Sequence, residues 1–175
     1  MTDNARPQPP LASTVSPEAR AFLDPMLAAP PPPADLSPAD MRAFMAMMTD
    51  VFLPPRQVRF PTTVEETELG GVPTLMVRPA EGADDSRGLM INFHGGGFVV
   101  DSGSLLESVP IAALTGITVA SVLYRLAPEN PYPAAVEDAL SAYRAALGLH
   151  EPSRITVFGT SAGAALAEGN IRAAL

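Results

Sequence analysis

Proline and glycine occupy different parts of this chain, and that segregation decides what each part can fold into. Thirteen of the twenty prolines fall within residues 1–61, whereas the first of the thirteen glycines is Gly70. Proline fixes φ and removes an amide donor, which confines the opening third to short helices and extended links. Glycine-dependent tight turns come only later. Residues 1–15 read as a disordered leader. Ser16-Pro17 and Ser37-Pro38 each set a capping hydroxyl before a proline at the first helical position, which predicts two helices, the second over about 38–52. Pro30-Pro31-Pro32-Pro33 makes a stiff spacer between them. Asp40 falls at the third helical position, where a carboxylate meets the positive end of the helix dipole, and Leu36 and Met41 are spaced for a hydrophobic staple. Met41, Phe44, Met45, Met48, Val51 and Phe52 recur at helical spacing. They fit either a face packed on a core or an adaptable, thioether-rich wall for an apolar ligand.

From residue 64 the pattern turns to strands. Val64–Leu69 and Val72–Arg78 flank Gly70-Gly71, a two-residue hairpin signal. Leu89–Phe93, Ile117–Leu123 and Ile155–Phe158 are short, nearly continuous apolar runs. Ser104 and Glu107 have capping-box spacing and open a helix that ends near Gly116 and that Pro110 should bend. A proline-rich turn over Leu126–Pro133 leads into a helix of about 134–147, with Val136, Leu140, Tyr143 and Leu147 as its apolar face and Gly148 as its stop. Strand runs without polar alternation, interleaved with helices, predict an α/β fold: a mostly parallel sheet covered on both faces, with the hairpin as an antiparallel edge.

Missing residue types narrow the chemistry. The chain has no Cys, which excludes disulfides, zinc thiolates and cysteine nucleophiles. All eleven basic residues are Arg, which excludes a P-loop lysine, a Schiff-base lysine and a Ser–Lys dyad. Only His94 and His150 are present, too few for a three-histidine metal site, and no metal site is expected. A net charge of -8 argues against nucleic acid as a partner. Neither a basic-then-apolar leader nor a run of about 18 apolar residues is visible, so the expected setting is a soluble, cytoplasmic one.

Serine remains as the plausible nucleophile. Gly159-Thr160-Ser161-Ala162-Gly163 lies between an apolar strand and a helix. A serine on so sharp a turn takes a strained backbone and projects its hydroxyl above the sheet, and Gly159 and Gly163 are needed because a Cβ at either would collide with the neighbouring strand and helix. Ala162 offers an N–H at a helix start, aimed where a tetrahedral oxyanion would form. Phe93-His94-Gly95-Gly96-Gly97-Phe98 follows a second apolar strand. Its three glycines expose unshielded N–H groups that can point at developing negative charge. His94 reads as a hydrogen-bond partner that shapes this loop.

His94–Gly97, Tyr124-Arg125-Leu126-Ala127-Pro128-Glu129 and Gly159–Gly163 together resemble the hormone-sensitive-lipase-like esterases of the α/β-hydrolase superfamily, over about residues 60–175. Thr160 and Asp101-Ser102-Gly103-Ser104 look like the branch with G-T-S-A-G. The resemblance implies an α/β-hydrolase fold over 61–175, with residues 1–60 as a leader plus helices that form part of a cap over an acyl pocket. It implies Ser161 as nucleophile and Gly95, Gly96 and the Ala162 amide as the oxyanion hole, with His94 and Gly97 supporting the loop. The implied substrates are short- to medium-chain carboxylic esters, with no cofactor. Arg125 is expected to pair with a nearby acid and brace the turn beneath the loop. Leu123 stands where many relatives have Asp, a difference with no functional account.

The family order places an acid and then a histidine after the serine. Glu168 is the only acid after Ser161, and no histidine follows it. His150 precedes the last strand, which puts it in a loop at the N-terminal edge of the sheet, the wrong end for Ser161. The apolar strand 155–158 would also stand as an unpaired edge. The expectation is an N-terminal portion of a longer esterase, C-terminal strands missing and inactive by itself. A non-catalytic ligand-binding protein on the same fold, and a peptidase, are the alternatives.

Overall fold

A computed structural model of the chain describes residues 12–28, 36–81 and 87–174. Residues 1–11 of the expected leader and the Pro30–Pro33 spacer lie outside the described residues. The chain divides into two compact units, Met1–Leu36 and Ser37–Leu175. In the first, residues 12–15 of the expected leader form a turn closed by Val15 N donating to Ala12 O at 3.1 Å. Helix α1 (Pro17–Ala28) follows, with Ala19 N donating to Ser16 Oγ at 3.2 Å.

The second unit opens with helix α2 (Pro38–Arg59). Asp40 N donates to Ser37 Oγ at 3.1 Å and Ser37 N donates back to Asp40 Oδ2 at 3.3 Å, a reciprocal box that ties down two amides without a helical acceptor. The helix runs beyond the expected end near 52 and carries Pro54 and Pro55 within it. Both prolines are exposed, as are Asp50 and Val51 one turn earlier, so the carbonyls they leave unbonded lie on the side of the helix that meets water. None of its residues is buried. Met41, Met45 and Met48 are half-buried, whereas Phe44 and Val51 remain 53% and 58% exposed.

Five strands form one sheet in the order β1-β2-β4-β3-β5. They are β1 (Thr62–Leu69), β2 (Val72–Pro79), β3 (Leu89–Phe93), β4 (Thr118–Val122) and β5 (Ile155–Gly159). Gly70 and Gly71, at φ +66° and +78°, turn β1 into β2 as the antiparallel edge that the hairpin signal predicts. The outer strand β1 carries exposed Glu65, Glu66 and Glu68, charges that discourage edge-to-edge pairing. At the other end β3, β4 and β5 are parallel, and β5 pairs only with β3 among the described residues.

Helices cover both faces. Val109 and Ala112 of α3 (Ser104–Thr115) pack with Val77 and Val119, joined by Leu53 and Phe60 from the α2 region. On the other face α4 (Ala134–Leu147) and α5 (Ala162–Ala174) cover Leu89, Ile91, Phe93 and Val122. The stripe of α4 that is buried is Ala135, Ala139, Ala142 and Ala146, whereas Val136, Leu140 and Tyr143 are half-buried and Leu147 is exposed. Methyl side chains let this helix lie close against the sheet, and the larger residues flank the contact. The capping box expected at Ser104 and Glu107 does not form. Gly103 is the cap residue, and the Asp101 carboxylate accepts from Gly103 N at 2.8 Å and from Ser104 N and Oγ at 2.7 and 2.6 Å. Asp101 meets the amides from upstream, leaving Glu107 no free N–H to reach. The helix runs unbroken through Pro110 and ends at Gly116, which is left-handed. No helix among the described residues is long and apolar enough to cross a membrane.

Candidate functional site

Register brings the site together. Phe93 is the Cα partner of both Val122 and Gly159, so β3, β4 and β5 end level. The loop after β3 (residues 94–103), the segment after β4 (residues 123–133) and the turn after β5 (Thr160–Ser161) therefore leave from one edge, the crevice where parallel sheets present their functional loops.

Ser161 stands at the turn between β5 and α5 with φ +55°, a left-handed conformation that costs a residue with a Cβ about 1–2 kcal/mol. Gly163 N donates to Thr160 O at 2.9 Å and Ala164 N to Ser161 O at 3.0 Å, closing the turn directly into the helix. The hydroxyl-bearing residue is exposed, and Ala162 beside it is buried. A Cβ at Gly163 would overlap the Phe93 carbonyl, and one at Gly159 would lie 2.5 Å from the Gly163 carbonyl group. The turn can therefore sit against β3 only with glycine at both positions.

The glycine loop lies against this turn. A Cβ on Gly95 would fall 3.0 Å from Thr160 O and 3.5 Å from the Ser161 Cβ. Gly96, Gly97 and Phe98 follow with φ of +113°, +62° and +63°. Gly95 O accepts from Ser102 N at 3.3 Å, and Gly96 O accepts from Val99 N and Val100 N at 3.0 and 3.1 Å. Among the described residues, the amides of Gly95, Gly96 and Ala162 have no hydrogen-bond acceptor. Of these, Gly95 lies against the turn that bears Ser161 and Ala162 follows the serine directly.

His94 is 1% exposed. Its Nδ1 lies 2.7 Å from Gly95 O, which can only accept, so Nδ1 carries the proton. The ring stacks on Tyr124 at 4.2 Å, and the Tyr124 hydroxyl donates to His94 O at 2.7 Å. Burial, together with the nearby Asp101 and Glu107 carboxylates, pushes the Tyr124 phenol well above its ordinary range, so it remains a donor. Behind them Asn92 Nδ2 donates to Ser108 Oγ at 3.0 Å and to Ser104 O at 3.3 Å, fastening α3 beneath the loop. No periodicity or motif marks this network among the residues that form it. Arg125 bonds Asp138 at 2.8 Å and Glu137 at 3.2 Å, joining the segment after β4 to α4. His150 is half-buried and lies between α4 and β5, at the opposite edge from Ser161. Glu168 is on the exposed side of α5 about two turns from the serine.

A cavity of about 280 Å³ adjoins the loop, walled by Gly97, Phe98, Ala127, Tyr132 and Val136 among others. A second, of about 400 Å³, lies under α2 between Arg42, Leu75, Asp101 and Leu123. Ser161 lines neither.

The profile of a family described as the α/β-hydrolase fold matches residues 90–174. The chain is 41% identical over 100 residues to an acetyl-hydrolase of Streptomyces hygroscopicus, a match covering 55% of this chain and 32% of that one. It is 41% identical over 101 residues to the carboxylesterase NlhH of Mycobacterium tuberculosis, covering 52% and 29%. Among solved structures, an esterase of the bacterial hormone-sensitive lipase family superposes with a TM-score of 0.70 at 30% identity, covering 87% of this chain and 49% of that one. A hormone-sensitive lipase from a metagenome library gives 0.72 at 33%, covering 89% and 51%. The chain thus spans about half the length of these solved relatives and about a third of the curated ones.

Proposed function

We propose that this chain, which has the α/β-hydrolase fold and hormone-sensitive-lipase-type esterases among its structural relatives, carries the nucleophile and oxyanion hole of a serine carboxylic-ester hydrolase. The observation that supports the reading is the apposition of Gly95 and Ser161, which sets the glycine loop against the turn that bears the exposed serine, with the Gly95, Gly96 and Ala162 amides lacking an acceptor among the described residues. In the reaction Ser161 Oγ attacks the ester carbonyl carbon, and the carbonyl electron pair moves onto oxygen. The amides of Gly95, Gly96 and Ala162 receive that oxyanion, the contribution that dominates such sites. Collapse expels the alcohol and leaves an acyl-serine for water to hydrolyse. Short- to medium-chain acyl esters suit the small apolar cavity beside Phe98, and a net charge of -8 favours neutral substrates over polyanions.

The proton of Ser161 needs a base, and among the described residues neither histidine is hydrogen-bonded to it. His94 spends Nδ1 on Gly95 O with its ring stacked on Tyr124, and His150 is at the far edge. We therefore expect these 175 residues alone to turn over p-nitrophenyl butyrate far below the usual enzymatic range of about 1–10³ s⁻¹. Fusing the chain to the C-terminal half of a solved relative, which brings an acid and a histidine, should raise turnover, and Ser161→Ala should remove the gain. A gain that survives Ser161→Ala would refute Ser161 as nucleophile. The placement of both histidines also favours a second reading, an acyl-ligand-binding protein without turnover. A fusion that stays inactive while butyrate stabilises the chain would select it.

A further inference from the structure

We propose that Arg42, on helix α2, is a positioning residue that sets the glycine loop bearing the Gly95 and Gly96 amides. The inference rests on the reading of those amides as oxyanion donors. One guanidinium grips three separate points. Nε donates to Val99 O at 2.8 Å, Nη2 donates to Ala127 O at 2.8 Å, and the Glu129 carboxylate is held in a fork at 2.8 Å from Nη1 and 2.7 Å from Nη2.

Val99 closes the glycine turn, because its amide and that of Val100 both bind Gly96 O. Ala127 reaches the same turn from the other side, its N–H donating to Phe98 O at 2.8 Å. Arg42 therefore clamps residues 96–100 to the segment after β4, and both to α2. The turn needs clamping, since Phe98 holds φ +63° without being glycine, and such a conformation persists only where the surroundings over-determine it.

An exposed ion pair alone would contribute little, and here the Arg42 and Glu129 side chains are 32% and 57% exposed. The two carbonyl bonds set this arginine apart, because only a planar fork can serve two backbone oxygens and a carboxylate together; a lysine ammonium cannot. Arg42 also draws the Glu129 carboxyl down to about 2, in keeping with a persistent contact.

The test is amide hydrogen exchange on the 175-residue chain, with Arg42→Met, Arg42→Lys and Glu129→Gln compared with the parent. In both arginine variants exchange of Val99, Val100 and Ala127 should speed up by about tenfold or more, while the β1–β2 hairpin keeps its protection. Glu129→Gln, which spares the carbonyl bonds, should change these amides less. With imidazole as external base, butyrylation of Ser161 by p-nitrophenyl butyrate should slow by about tenfold in Arg42→Met at an unchanged half-saturating ester concentration. Unaltered exchange at 99–100 and 127, or a rise shared equally by the hairpin, would overturn the proposal. Absence of butyrylation in the parent chain would instead fault the reading of Ser161, and the exchange data would still decide the role of Arg42.

Discussion

Tyr124 and His94 hold each other twice: the phenol donates to the His94 carbonyl at 2.7 Å, and the two rings stack at 4.2 Å with planes 12° apart. One bond fixes the backbone where β3 becomes the glycine loop, and the stack fixes the imidazole beneath it. Tyr124→Phe keeps the stack and strands a buried carbonyl. It should cost about 1–3 kcal/mol, read as a lower midpoint in urea unfolding. No loss would mean that the hydroxyl does not hold this junction.

The two glycines of the serine turn should be intolerant for a backbone reason. Gly163→Ala places a methyl into the Phe93 carbonyl, which belongs to a strand and cannot move aside. It should abolish the cooperative unfolding transition. Gly169→Ala, in the same helix with open space around the added methyl, should instead stabilise by about 0.5–1 kcal/mol. Thermal melts of the two variants give the comparison.

Glu129 offers a titration. Its ordinary value would be about 4.3, and Arg42 lowers it to about 2. A carboxyl depressed on folding contributes stability that is complete above its unfolded value and lost as pH falls through the folded one. The stability difference between the parent and Glu129→Gln should thus hold steady above about pH 5 and shrink between about 4.3 and about 2. In Arg42→Met the Glu129 carboxyl carbon should titrate higher than in the parent by NMR, though still below the ordinary range because the backbone bond to its own amide remains.

The Asn92 network predicts a modest, local loss. Ser108→Ala removes the 3.0 Å acceptor of a fully buried amide and leaves the longer bonds to Ser104 O and Ser121 Oγ at 3.3 and 3.4 Å. About 1 kcal/mol should be lost, with faster amide exchange at the start of α3. A loss spread evenly over the sheet would argue against that linkage.

Features set by neighbours in sequence were legible. Gly70-Gly71 marks its hairpin, Ser37 and Asp40 their cap, and the apolar runs their strands, because each signal lies within a few residues. Burial was less so. The larger residues suggested one face for α4, but closeness to the sheet selected the alanines, a choice made by the opposing surface. Asp101 displaced Ser104 and Glu107 as the capping group, though an acid before Ser-Gly-Ser was a signal that could have been read. The reach of Arg42 to Val99, Ala127 and Glu129 spans 57, 85 and 87 residues and leaves no mark in local pattern. The proximity of Gly95 to Ser161 follows from strand register, which the motifs imply but do not measure.

Acylation of Ser161 tests the account most directly. The 175-residue chain would be incubated with p-nitrophenyl butyrate, with imidazole supplied as an external base, and mapped by peptide mass spectrometry. One butyryl group should accumulate on the peptide bearing Ser161, because the p-nitrophenolate leaving group makes acylation faster than hydrolysis of the alkyl ester it forms, and Ser161→Ala should remove it. Butyryl groups scattered over other hydroxyls, or none on Ser161 while the fold is intact, would contradict the assignment of Ser161 and the glycine loop to ester chemistry.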